Sequence, residues 1–249
     1  VESTYGDRLH EAADVEAVLG ETIRRTAARG GTVLMPAFAV GRAQSLLYAV
    51  YRLKQRRAIP DLPVFLNSPM AIDMTDIYHR HRAEHRLSDA ECAGMCKVAT
   101  MVRSVEESRA LNAMTYPAVI VSASGMATGG RVLHHLKTLA PDRRNTVVFA
   151  GYQAAGTRGA RMVAGESSIR IHGQDIPVRA EVMSLEGISA HADARQIVQW
   201  LATAQRPPRR VYLTHGEPGP ADTLRQRIER ELGWDAYAPR LGQTIEVES

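Results

Sequence analysis

Long apolar runs are missing from this 249-residue chain. No stretch approaches the roughly 18 consecutive apolar residues that cross a bilayer, and no segment is built like a secretory leader. A membrane is therefore not among the expected partners, and the expected location is cytoplasmic. Cysteine is scarce: only Cys92 and Cys96, in the stretch CAGMC. Two cysteines cannot make a disulfide framework, which fits a reducing compartment. On a helix they lie on one face, four residues apart, and they read as small buried hydrophobes, with a metal or redox pair as the alternative. Lysine occurs only at Lys54, Lys97 and Lys137, so arginine carries the basic balance. The net charge of +4 is compatible with nucleic acid. The arginine skew, however, fits a GC-rich genome as well as a binding surface. The G-x4-G-K-[ST] spacing is absent, which excludes a P-loop.

What is present suits a folded domain: 45% of residues are hydrophobic and 23% charged, enough for a core and unlike a disordered composition. Helical and strand patterns alternate. EAADVEAVLGETIRRTAARGG reads as a helix closed by Gly30 and Gly31, and TVLM as a buried strand. GRAQSLLYAVYRLKQRRA places Ala43, Leu46, Leu47 and Val50 on one helical face. LPVFLN is a strand, and Ser68 with Pro69 opens the next helix. YPAVIVSAS and NTVVFAG are further strands, with the helix RVLHHLKTL between them. Apolar strands separated by helices predict an α/β fold with a mostly parallel sheet flanked by helices. After about residue 165 the texture becomes consecutive short strands with a turn at Gly173. A helix after Asp193, a strand RRVYLTH and a helix carrying Leu224, Ile228 and Leu232 then follow.

Three stretches place ionisable groups just after apolar strands, where α/β folds build sites: Glu2 in VESTYGD, His191 in GISAHAD and His215 in VYLTHGE. His191 stands among small residues that leave room for a ligand. His215 precedes Gly216 on a tight turn. An acid and two such histidines together point toward a hydrolytic or metal site. A fourth feature is the loop SASGMATGGR, which puts Ser122, Ser124, Gly125, Thr128, Gly129 and Gly130 between a strand and a helix begun by Arg131. Small residues there let backbone N–H groups approach an anion; the plainer reading is a tight turn with no ligand. Arg42, in AFAVGRAQ, starts a helix in the same manner and is placed to meet phosphate. HRHRAEH (His79, His81, His85) imitates a metal-binding H-x-H-x-D-H run, but Ala83 and Glu84 break the register. It reads as a solvated helical surface with His81 and His85 on one face and His79 pointing away.

In this order, ESTYGD, MPAFAVGRAQ, SASGMATGGRVLHHLK, GYQAAGTRG, SAHAD and LTHGE resemble the β-CASP family of metallo-β-lactamase-fold RNA-processing nucleases, over essentially the whole chain. The resemblance implies three portions. Residues 1–8 would end the first part of a metallo-β-lactamase domain, 9–187 would form the β-CASP domain, and 188–249 would close the metallo-β-lactamase domain. It implies two zinc ions in the full-length enzyme. Most of their ligands, including an H-x-H-x-D-H loop, would precede ESTYG, so the ligand set in this chain is incomplete and the fragment alone is expected to be inactive. By the same resemblance His215 is a zinc ligand, and His191, held by Glu2, is the acid that protonates the leaving oxygen. Arg42, Ser122, Ser124, Gly125, Thr128, Gly129, Gly130 and Arg131 would lie along the RNA path. The expected partner is RNA, single-stranded, with a homodimer allowed. RNA is favoured over DNA because the LTHGE position holds His, where family members acting on DNA tend to carry Val. Two other classes stand beside this reading. A non-catalytic RNA-binding or scaffold subunit need not keep Glu2, His191 and His215 together, and a small-molecule hydrolase of the same fold needs no β-CASP insertion.

Overall fold

A computed structural model of the chain describes residues 1–10 and 14–246. The first strands are β1 (Val33–Pro36), β2 (Val64–Asn67), β3 (Thr100–Met101), β4 (Val119–Ser122) and β5 (Thr146–Ala150). A hairpin of β6 (Ser168–Ile171) and β7 (Gln174–Pro177) follows, then β8 (Glu181–Leu185). Six of these strands form one sheet in the order β3-β2-β4-β1-β5-β8, and every pairing in it is parallel.

Successive side chains of a strand face opposite sides of its sheet, and here both sides are apolar. Val33 and Met35 enter one core while Leu34 enters the other. Val119 and Val121 part from Ile120 in the same way, and Val148 from Val147 and Phe149. That is why these strands read as unbroken apolar runs. Helices α1 (Val15–Ala28), α2 (Arg42–Gln55), α3 (Pro69–Arg80) and α4 (Asp89–Lys97) supply Leu19, Leu46, Ile72 and Met95 to the first core. Helices α5 (Val105–Asn112), α6 (Val132–Leu139) and α7 (Arg158–Val163), with the β6–β7 hairpin, supply Leu111, Leu136, Met162 and Ile169 to the second. The expected α/β fold with a parallel sheet is therefore what forms.

The local signals act through their ordinary chemistry. Ser68 caps α3, accepting from the Ala71 amide, with Pro69 in the first turn. The first helix begins at Val15 with Asp14 as its cap; the part of that expectation on residues 11–13 lies outside the described residues. It ends where predicted, with Gly30 at φ 75° and the Gly30 and Gly31 amides bonded back to Ala27 and Thr26 carbonyls. His172 and Gly173 both take positive φ, as a two-residue hairpin turn demands. The last of the short strands predicted after residue 165, β8, leaves the hairpin and returns to the central sheet beside β5.

The chain divides into two compact units, residues 13–188 and residues 1–12 with 189–249. The second unit contains α8 (Ala194–Leu201), the strand β9 (Val211–Tyr212), α9 (Pro218–Leu232) and β10 (Ala236–Tyr237). Ile197, Val198, Leu213, Leu224 and Ile228 form its core, and Leu232 packs partly buried against them. Among the described residues no helix is long and apolar enough to cross a membrane.

Candidate active site

In the unit made by the two chain ends, residues 1–5 run beside two other segments. Glu2 bridges in parallel to Thr214, and Tyr5 to Asp193. The Ser3 hydroxyl donates to the Thr214 carbonyl at 2.8 Å, and the Thr214 amide donates to Val1. Gly216 is required here, since a Cβ at that position would run into the hydroxyl and carbonyl of Ser3. His215 itself holds φ 52°, a left-handed conformation that a non-glycine residue adopts at a cost on the order of 1–3 kcal/mol. The tight turn expected at His215 is thus pressed onto the first strand-like segment. Glu2 now meets two histidines from the far end of the sequence. One ligand-type atom from each of Glu2, His191 and His215 lies within 4.8 Å of the others, and the two imidazole rings stack with centroids 5.0 Å apart.

The hydrogen bonds assign a task to each group. Glu2 Oε2 lies 2.9 Å from His191 Nδ1 and also accepts from the Thr4 amide; Glu2 Oε1 accepts from the Ala192 amide. Burial alone would raise the Glu2 carboxyl, yet bonds from the Ala192 and Thr4 amides, with the adjacent His191, hold it below the ordinary carboxylate value. Both oxygens of this carboxylate are therefore committed to orienting the His191 segment. Thr4 is the residue that sequence reasoning missed. Its buried hydroxyl donates to the His215 carbonyl at 2.9 Å and sits 3.1 Å from His215 Nδ1. A hydroxyl has one proton to give. With that proton on the carbonyl, Thr4 Oγ1 must accept from Nδ1–H, which leaves the lone pair of His215 on Nε2. Thr4 shares a side of the extended segment with Glu2, two residues away, and that spacing was the available signal.

Further bonds fix His191 from behind. The His10 ring nitrogen Nε2 lies 2.9 Å from the His191 carbonyl, and the His10 amide donates to Asp193 Oδ2. Asp193 caps α8 in a reciprocal arrangement with Gln196. Among the described residues neither His191 Nε2 nor His215 Nε2 carries a hydrogen bond. Two imidazole nitrogens and a carboxylate make a donor set of the kind zinc takes. With Glu2 spent on amides and on His191, the two open nitrogens are the atoms left for a metal or a substrate.

The phosphate candidates sit in the other unit. Because β4, β1 and β5 are parallel neighbours, the loops after all three leave the same edge of the sheet. Gly125 packs so closely on Phe38 that a Cβ would strike its ring and amide. The Arg42 guanidinium lies against Gly151, and Gln153 donates to the Gly125 carbonyl. Arg42, the Gly-rich loop and the segment after β5 are thus brought together. Within the loop, Ser124 Oγ accepts from the Thr128 and Gly129 amides, so those N–H groups already face an oxygen. Gly130 at φ 76° lets the chain turn under the Ala123 carbonyl. Thr128 and Gly130 are exposed. Ser122 is buried, its hydroxyl donated to the Asn67 carbonyl, and so it faces the core rather than a solvent-borne phosphate. Arg131 is engaged as well, donating to Asn67 Oδ1 and to the Val102 and Arg103 carbonyls.

HRHRAEH departs from its expected helix. α3 stops at Arg80, a short 3-10 turn occupies Arg82–Glu84, and His81 and His85 share no helical face. A run of arginine and histidine offers no apolar stripe to carry the helix on. His79, expected to point away, lies against Cys92. The cysteines do stand on one helix, Cys92 fully buried and Cys96 partly so. Burial and the neighbouring Cys92 push the Cys96 thiol up to about 12.

Comparison with known proteins defines the class. Residues 43–162 match the Beta-Casp domain, and residues 175–239 match the Zn-dependent metallo-hydrolase RNA specificity domain. The chain belongs to the β-CASP family of metallo-β-lactamase-fold RNA-processing nucleases. Ribonuclease TTHA0252 of Thermus thermophilus is 39% identical over 223 residues, which is 87% of this chain and 50% of that protein. The transcription termination factor FttA of Pyrococcus abyssi is 33% identical over 262 aligned residues, covering 99% of this chain and 40% of the relative. FttA of Methanocaldococcus jannaschii is 32% identical, covering 100% and 41%. The chain spans half or less of the length of these relatives.

Proposed function

We propose that this chain is the β-CASP-containing part of a zinc-dependent nuclease that hydrolyses phosphodiester bonds in single-stranded RNA. The observation that carries the reading is the Glu2–His191–His215 cluster, in which the carboxylate is spent on orientation and two ring nitrogens stand open. His215 Nε2 would hold a zinc ion, its tautomer set by Thr4. Zinc, when bound, would activate the attacking water and neutralise charge on the scissile phosphate. His191 would present Nε2–H to the leaving oxygen. Glu2, 2.9 Å from Nδ1, would keep the ring aimed so that Nε2 faces the leaving oxygen. The second ion and the other ligands would come from the portion that the longer relatives possess.

A chain extended to the relatives' length is expected to cut single-stranded RNA and to stop on chelation of zinc. The 249 residues alone are expected not to cut. An extended chain that binds RNA without cutting it would instead favour the scaffold reading.

Phosphate contacts are assigned to Arg42, Arg131 and the exposed tip of the Gly-rich loop, with Ser122 beneath it as support. In the extended chain Arg42→Ala is expected to lower the log–log salt slope of RNA binding by roughly 0.7, the release from one single-strand contact. Arg131→Ala should lower the slope similarly and also reduce thermal stability, since its bonds to Asn67, Val102 and Arg103 are lost. An unchanged slope for both would make these arginines purely structural.

A further inference from the structure

We propose that His79, Cys92 and Cys96 form a separate binding site for a thiophilic divalent cation, zinc above all, which staples α3 to α4. The Nδ1 or Nε2 of His79 and the two sulfurs lie within 4.8 Å of one another, and Cys92 Sγ is 3.9 Å from His79 Nδ1. Around a tetrahedral zinc, with Zn–S about 2.3 Å and Zn–N about 2.0 Å, such donors stand roughly 3.6–3.8 Å apart. Shifts of roughly an ångström, within ordinary rotamer adjustment, would seat the ion. Two sulfurs and one imidazole nitrogen make a donor set that selects zinc or another soft cation over magnesium or calcium. It is unlike the Glu2–His191–His215 cluster, which offers no sulfur.

The surroundings give such an ion work to do. α4 has nine residues, of which only Cys92 and Met95 are buried. Its start is fixed by the reciprocal Ser88–Glu91 cap and by the Tyr48 hydroxyl donated to Glu91. Its second half is held by the packing of Gly94 on Tyr51 and by a long Cys96 Sγ–Thr75 carbonyl contact of 3.9 Å, and the segment from His81 to Ser88 that joins it to α3 contributes no buried residue. An ion held by the last turn of α3 and by two successive turns of α4 closes that connection. The competing uses of these residues fit less well. A redox or nucleophilic thiol must be reached from solvent, and Cys92 is fully buried. Two inert apolar cysteines would need no imidazole beside them. Binding exchanges two thiol protons for one divalent cation, so the ion leaves the Cys92 and Cys96 thiolates and the neutral His79 ring with no net charge among them.

Cobalt(II) provides the test, because only thiolate ligands give it an intense near-ultraviolet charge-transfer band and the chain has no other cysteines. The reduced 249-residue protein, titrated with cobalt at neutral pH, is expected to develop that band to saturation at one ion per chain, and zinc should bleach it. His79→Ala, at an exposed position, should weaken cobalt at least tenfold, and Cys96→Ala should abolish the band's tight phase. His215→Ala, on the other cluster, should leave the band unchanged. Absence of the band at saturating cobalt, or a band whose affinity His79→Ala does not alter, would overturn the proposal.

Discussion

In a chain extended to the length of its relatives, His191→Ala is expected to retain zinc and lose activity by about 10²–10⁴-fold, the usual worth of a general acid. His215→Ala is expected to lose zinc and activity together, because a ligand is removed. The two rings stack 5.0 Å apart, so proximity alone does not separate their roles. Their partners do. The Nδ1 of His191 is held by the Glu2 carboxylate, which aims Nε2 at the leaving oxygen. The Nδ1 of His215 faces the Thr4 oxygen, which leaves Nε2 as the nitrogen open to a metal. Glu2→Gln should resemble His191→Ala but be milder, since the amide oxygen still accepts from Nδ1–H while the charge is gone. Thr4→Val should mimic a weakened His215, lowering zinc affinity without touching the acid. An activated aryl phosphodiester needs little help at its leaving oxygen, so it should rescue His191→Ala and leave His215→Ala inactive. Loss of zinc from His191→Ala, or failure of that rescue, would place His191 among the ligands. Zinc content by elemental analysis and initial rates on both substrates decide between these outcomes.

Much of the sheet was legible because period and burial are local properties. The runs VLM, VIV and VVF announce strands covered on both faces, and Ser68–Pro69 announces a helix start. Glu2, His191 and His215 were legible for a similar reason: each reads as following an apolar strand pattern, His191 among small residues and His215 on a tight turn before Gly216. Side-chain partners across the chain were not. Thr4 meets His215 from 211 residues away; its spacing from Glu2 shows which side it shares, but not which partner it meets there. The Cys92 neighbour of the exposed His79 was not legible either, because α3 stops at Arg80 inside HRHRAEH and a second helix carries the cysteines back to it. His135 passed unremarked inside RVLHHLKTL, although it falls three residues after Val132 and four before Leu139, within the apolar stripe, while His134 falls outside it. That spacing marks a buried imidazole, and a buried imidazole needs partners.

Acid is expected to destabilise the larger unit through that same His135. Its pKa is lowered to about 4, first by burial and then by the positive charges of His134 and Arg131. The hydrogen bonds show why a proton is unwelcome. Arg131 can only donate, so Asn67 must turn Oδ1 toward it at 2.8 Å. Asn67 Nδ2 then points at His135 Nε2, 2.6 Å away, and at the Ser108 hydroxyl. Nε2 must accept, so the ring proton resides on Nδ1 and is given to Asn112 Oδ1 at 2.6 Å. Protonating Nε2 would set two donors against each other in a buried site. An unfolded imidazole titrates near about 6.5, so below that pH the unfolded chain binds more protons than the folded one. The stability is fully present above about 6.5 and is lost as pH falls through the folded value near 4. The loss approaches on the order of 3 kcal/mol once both states are protonated. Denaturant unfolding of the wild type between about pH 7 and pH 4 should show this slope, and His135→Gln, less stable at neutral pH, should show a flatter one. Equal slopes in the two proteins would mean that His135 takes up its proton at the same pH folded and unfolded, and that Asn67 and Arg131 are arranged differently around it.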